Sequence, residues 1–162
     1  MSSQPAPYPE GAPVEAPARL LIRHALATIA YRAAKCLRAA PAHFDAFSAG
    51  EGTRTPAELV NHLTGLCYFS QGLLTGGPRR ETPTLPWPEE VARLEAALRE
   101  LDSAVAVADV WRYDPLRALQ GPLADALTHV GQLAMLRRLA GSPVEGENYA
   151  RAPVRAGELS LS

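Results

Sequence analysis

The sequence predicts an all-α fold, a four-helix bundle with one long crossover and an irregular C-terminal strap. Three observations carry that prediction. Apolar residues recur at threes and fours in four separate stretches, the spacing that gathers them on one side of a helix. Proline and glycine clusters fall between those stretches, and no segment alternates with the period of two that marks a strand. With 162 residues, 47% of them hydrophobic, the chain suffices for one domain with one core. The expected division is a disordered proline-rich arm over 1–17 and a single bundle domain over 18–162.

The arm, MSSQPAPYPEGAPVEAP, is rich in a residue that fixes φ and lacks the backbone donor a helix needs. It has neither the basic start nor the apolar run of a secretory leader. The first helix is expected from about Pro17 to Ala40, with Ile22, Leu26, Ile29, Ala33 and Leu37 as its apolar stripe. Arg19, Arg23, Arg32, Lys35 and Arg38 fall mostly on other faces and read as a solvated side. The loop after Pro41 brings Phe44 and Phe47 to one end of the bundle as a plug.

The second helix has the clearest start. Thr55, Pro56 and Glu58 stand at the N-cap, first and third positions, where hydroxyl and carboxylate satisfy orphan amides reciprocally and proline loses nothing. Leu59, His62, Leu66, Phe69 and Leu73 then share a face, which turns His62 inward. Gly76, Gly77 and Pro78 stop this helix, and RRETPTLPWPEE is a crossover too long for a tight hairpin.

A third helix is expected from about Pro88 to Ala108, with Val91, Leu94, Leu98, Leu101 and Val105 in its seam and Asp102 among the charges outside it. Trp87 staples its start. Asp114 and Pro115 begin a short helical turn, and Gly121 and Pro122 restart the chain as the fourth helix. Gly141 followed by Pro143 stops it. Arg137 and Arg138 read as solvated or paired with Glu145 and Glu147, and the tail SPVEGENYARAPVRAGELSLS packs as the strap.

Charge and cysteine usage exclude several functions. A net charge of -1 and a pI near 6.4 supply no broad basic field, so a nucleic-acid partner is not expected. No stretch reaches the roughly eighteen apolar residues of a membrane span. Cys36 and Cys67 form no CxxC pair, which argues against a disulfide framework and for a reducing, cytoplasmic location. Phosphate loops, nucleophile elbows, HExxH and EF-hand patterns are absent from the sequence.

The chemistry concentrates in DALTHVGQLAMLRRLAG, residues 125–141. At about 100° per residue, Asp125 and His129 project from one side of a helix, with Gln132, Leu133 and Leu136 continuing that side. A carboxylate and an imidazole on an apolar strip are costly to bury unless something satisfies them. Facing His62 across the bundle, they give three side chains that can converge on one cation and leave coordination positions open. Two imidazoles and one carboxylate suit zinc or nickel first, with iron(II) and manganese also compatible. Cys67 lies about 140° around the helix from His62 and reads as a packing thiol.

Two segments carry a resemblance. RTPAELVNHLTGL and ALTHVGQLAMLRRLAG look like the two motifs of the DinB-like (DinB/YfiT-like) superfamily of metalloenzymes, over a similarity running from about Arg19 to Pro143. Members hold a divalent metal with one histidine from the second helix and an HxxxH pair from the fourth. His62 matches the former, His129 matches the second histidine of the pair, and Asp125 stands where the first would be. The resemblance also implies a bundle of unusual topology, homodimerisation, and metal-dependent transfer or isomerisation with low-molecular-weight thiols such as bacillithiol or mycothiol.

The expected function is therefore a divalent-metal-dependent enzyme acting on a small molecule, a thiol-dependent transferase or a hydrolase. Its metal ligands are His62, Asp125 and His129, and Gln132, Phe69 and Tyr68 are candidates for substrate binding. The alternative is a non-catalytic dimeric bundle in which Asp125 and His129 simply satisfy each other as an i, i+4 pair.

Overall fold

Proline stands in the first turn of each helix that starts from a loop. In the computed structural model, which describes residues 12–162, α1 spans Ala16–Leu37, α2 Pro56–Thr75, α3 Trp87–Val107 and α4 Pro115–Ala118. Each has proline at its first or second position, where the missing N–H is one the helix would leave unpaired anyway. Pro17 thus belongs to α1 and not to an arm. Ala12–Pro13 (β1) pairs antiparallel with Val110–Trp111 (β2), a two-residue ladder too short to show as alternation in the sequence. The remainder of the expected arm, residues 1–11, lies outside the described residues.

The capping box at α2 is present in full. Thr55 Oγ1 accepts from the Glu58 amide and Glu58 returns a carboxylate to the Thr55 amide at 2.7 Å, an arrangement worth about 1 kcal/mol. Phe44 is buried and meets Trp87 edge to face with ring centroids 6.4 Å apart, closing one end of the bundle as a plug.

The last helix departs from expectation at Gly121 and Pro122. Instead of restarting there, the chain continues from α4 through one π-helical turn, Leu119–Leu123, into α5, Ala124–Leu139. The Ala124 amide reaches back to the Leu119 carbonyl. Pro122 has no amide to donate, and the wider turn absorbs that loss without breaking the rod. Asp114 caps the start by accepting from the Leu116 amide at 2.8 Å.

The long helices pack as an all-α bundle around one core that includes Ile22, Leu26, Leu59, Leu63, Leu94, Leu98, Trp111 and Leu133. The basic residues of α1 do more than face solvent. Arg23 grips the buried carboxylate of Asp102 at 2.9 and 2.8 Å, so Asp102 is inside the seam and not among the outer charges. Arg19 donates to the Ala106 and Ala108 carbonyls, the unpaired acceptors at the end of α3.

The crossover is pinned from below. Glu90 is fully buried and accepts from the Leu85 amide, from Asn61 and from Arg93. Asn61 also donates to the Thr82 carbonyl at 2.9 Å. The residue preceding His62 is therefore tied to the crossover, which fixes α2 in place.

Arg137 is the clearest correction. It is 5% exposed and, among the described residues, pairs with no acidic residue. Its guanidinium donates to the carbonyls of Cys36 (2.8 Å), Arg38 (3.0 Å) and Ala39 (3.2 Å), and to the carbonyl and hydroxyl of Ser142 (2.9 Å each). One planar fork thus serves the acceptors that end α1 and the turn that ends α5. Glu147 bonds Lys35 at 2.5 Å and Tyr31 at 2.8 Å instead.

The tail after α5 forms the strap. Leu159 and Leu161 are buried, the Leu161 amide donates to Glu95 at 2.7 Å, and the Tyr149 ring lies 4.0 Å from the Arg32 guanidinium. Among the described residues, no helix is long and apolar enough to cross a membrane.

Candidate metal centre

The core-facing stripe of α2 is Leu59, Leu63, Cys67, Ser70 and Leu74, with Val60, Thr64 and Tyr68 beside it. This differs from the face read from the sequence. Thr64 and Ser70 turn their hydroxyls back onto the Val60 and Leu66 carbonyls at 3.2 and 2.7 Å. Having satisfied themselves within the helix, they can be buried. His62 is consequently displaced from the core to the shoulder of α2, where it faces α5, and its side chain stays 34% exposed. Cys67 points into the core, and burial pushes its thiol up to about 12, so it is a packing residue and no thiolate ligand.

On that shoulder His62 meets Asp125 and His129. The three candidate ligand atoms all lie within 4.8 Å of one another. Asp125 divides its carboxylate between the two rings, Oδ2 standing 3.5 Å from His62 Nε2 and Oδ1 3.3 Å from His129 Nε2. The imidazoles are perpendicular, with centroids 4.6 Å apart.

The two carboxylate–imidazole separations are compatible with an ion pair and with a metal site. Both exceed the roughly 2.9 Å of an ordinary N–H···O hydrogen bond. In a tetrahedral site with bonds of about 2.1 Å, neighbouring ligand atoms stand about 3.4 Å apart. The carboxylate–imidazole spacings of 3.3 and 3.5 Å are close to that edge, one to each carboxylate oxygen, and the three candidate ligand atoms lie within 4.8 Å of one another.

Proton placement is compatible with both. His129 Nδ1 is 2.9 Å from Gln132 Oε1. A carbonyl oxygen only accepts, so with this side of the Gln132 amide toward the ring Nδ1 donates and Nε2 is the atom turned to Asp125. A proton or a metal ion between Nε2 and the carboxylate satisfies both. For His62, burial holds the pKa below its ordinary value, reinforced by the charges of Arg54 and His129 and opposed by Asp125. Its ring is neutral near pH 7 and able to ligate.

The group is enclosed on one side only. The His129 side chain is 11% exposed and that of Asp125 46%, so the buried wall fixes the ligands while the outer side stays accessible to water or a small molecule. The His62, Asp125 and His129 group can hold a metal ion with positions open.

Cavities flank the group. One of about 440 Å³ is bordered by His129, Gln132, the end of α5 and the loop before α2. A second, shallower depression of about 580 Å³ includes Asp125, Phe69 and the π-helical turn. Phe69, expected inward, is 56% exposed on its rim. Gln132 serves first as the partner of His129, orienting a candidate ligand, beside the substrate-binding role expected of it. Tyr68 lies elsewhere: it is buried, with its ring 3.6 Å from the Arg80 guanidinium and its hydroxyl accepting from Arg80 at 3.0 Å. Six residues along a helix carry it well away from the side of His62, so it borders neither cavity.

Sequence reading overlooked Arg54. It immediately precedes the capping box, is exposed, and borders the cavity beside His129. An arginine just outside a helix start, two turns before a candidate ligand histidine, was the available signal. Comparison of the chain with protein-family models, with characterised proteins and with solved structures finds no match.

Proposed function

We propose that this protein is a divalent-metal-dependent enzyme acting on a small molecule, with His62, Asp125 and His129 as the metal ligands. The observation that carries the reading is the convergence of three ligand-type atoms from α2 and α5 within 4.8 Å, on a side of the bundle that solvent reaches. A bound divalent ion supplies Lewis acidity, lowering the pKa of a thiol or a water so that it becomes a nucleophile near neutral pH.

The chain's own residues prepare that chemistry. His62 and His129 offer imidazole nitrogens, Asp125 offsets part of the cation's charge, and Gln132 orients the His129 ring. The reaction we assign is thiol-dependent transfer with a low-molecular-weight thiol, or hydrolysis, in keeping with the DinB-like motifs. Zinc or nickel is the metal we favour from the donor set. A homodimer in the cytoplasm completes the proposal, and sedimentation of the purified protein tests the dimer.

The competing reading is a non-catalytic bundle, favoured by the i, i+4 placement of Asp125 and His129 as a helical ion pair. Elemental analysis of protein purified without added metal, wild type against His62→Ala, separates the two. Stoichiometric metal that His62→Ala loses while keeping its helical content supports the enzyme. Metal-free, folded wild type that takes up no zinc, nickel or iron(II) on titration overturns it. A panel of thiols paired with electrophiles then seeks turnover.

A further inference from the structure

The cavity beside His129 is built for an anion with an apolar body. Its floor and wall are aliphatic, formed by Leu59, Met135, Leu136 and Leu139. Met135 and Leu139 are each 56% exposed, which leaves apolar surface open on the cavity wall. The polar side chains are few: His129 and Gln132 at one end, Arg54, and Thr53, whose hydroxyl donates to the Gly50 carbonyl.

Arg54 is the single formally charged group of this lining apart from the titratable His129. Among the described residues it makes no hydrogen bond and no ion pair with any carboxylate. Arg79, Arg112, Arg117, Arg138 and Arg151 likewise have no side-chain hydrogen bond or ion pair among the described residues, and what sets Arg54 apart is that it borders this cavity. Arg19, Arg23, Arg80, Arg93, Arg99 and Arg137 all have protein acceptors. Glu58, four residues on, is occupied by the Thr55 cap, and Glu51, three residues before, forms no ion pair with Arg54. The guanidinium therefore keeps its full donor fork free at the edge of an apolar cleft, the geometry that recognises a carboxylate or a similar planar anion.

The volume, about 440 Å³, falls within the range of roughly 300–1,000 Å³ typical of small-molecule sites.

We infer that the substrate is a small organic anion whose carboxylate-type end pairs with Arg54, whose aliphatic body lies on Leu59, Met135, Leu136 and Leu139, and whose reacting end reaches the group at His129. This rests on the metal-enzyme reading for the reacting end, whereas the pairing with Arg54 stands on the cavity alone. Arg54 is thus a specificity-determining residue: it distinguishes charged from neutral molecules of the same shape.

The test uses hexanoate and hexan-1-ol as probes, titrated calorimetrically into the full chain with and without zinc, together with Arg54→Gln and Arg54→Lys. Zinc content is measured on every sample. The expected result is hexanoate binding to the wild type, weakened at least tenfold by Arg54→Gln, partly restored by Arg54→Lys, with hexan-1-ol weaker than hexanoate and indifferent to both changes. Zinc stoichiometry and helical content stay at the wild-type level in both variants.

Equal binding of hexanoate to wild type and Arg54→Gln overturns the inference, as does equal binding of the alcohol or no hexanoate binding at all. Hexanoate affinity lost in His62→Ala but kept in Arg54→Gln would place the anion on the metal and equally refute the role of Arg54. If no sample takes up zinc, the metal reading fails, and the Arg54 comparison in metal-free protein still decides the pairing.

Discussion

Replacing Gln132 isolates the outer hydrogen bond of the proposed metal centre. Gln132 Oε1 lies 2.9 Å from His129 Nδ1, and the residue is exposed on α5, so Gln132→Met keeps length and helix preference while removing the acceptor. The ring then gains freedom to rotate and to place its proton on Nε2, the atom facing Asp125. Losing such a partner typically costs about 10–100-fold in metal affinity, equivalent to roughly 1.4–2.7 kcal/mol. We expect the lower half of that range, because the buried wall around His129, whose side chain is 11% exposed, continues to restrict the ring. Gln132→Glu works in the opposite direction: a carboxylate on Nδ1–H makes Nε2 more basic, and zinc should bind more tightly than in the wild type. Competition against a chromogenic zinc chelator of known affinity measures both variants. Thermal unfolding of the metal-free proteins should be close to unchanged, since an exposed side chain is being altered. Wild-type zinc affinity in Gln132→Met, with zinc bound stoichiometrically, would refute the positioning role.

Two further outcomes follow from the packing. Arg137→Met leaves the carbonyls of Cys36, Arg38 and Ala39 without their guanidinium donor; at about 1 kcal/mol for each acceptor that partly rehydrates, stability should fall by about 3 kcal/mol in urea unfolding, and a loss under about 1 kcal/mol contradicts the capping role. Glu95 is held below the usual carboxylate range, chiefly by the Leu161 amide and then by Arg99. A depressed folded-state pKa means that its stabilisation is complete above the unfolded value and is lost as pH falls through the folded one. Hydrogen exchange at the Leu161 amide should therefore accelerate, relative to the intrinsic rate, as the solution is acidified below about pH 4.3, and Glu95→Gln should flatten that dependence.

Local pattern settled much of this protein. Thr55, Pro56 and Glu58 fixed the start of α2 because a capping box is a matter of neighbours along the chain. The i, i+4 spacing of Asp125 and His129 put both on one side of α5 for the same reason, and the added His62 made the cluster legible before any fold was known. Spacing alone did not orient α2. Thr64 and Ser70 look polar, yet each satisfies its hydroxyl within the helix and enters the core, which rotates His62 to a half-open shoulder and leaves Phe69 outside. Pro122 reads as a helix start, and only the continuous rod from Pro115 to Leu139 reveals a π-helical turn around it. Arg137 and Arg54 differ in nothing a local window records: one meets the orphan carbonyls of a helix a hundred residues away, the other meets no protein acceptor among the described residues. Periodicity is a property of a single segment, whereas the choice of buried face and of a side chain's partner belongs to the surfaces that segment meets when the helices come together.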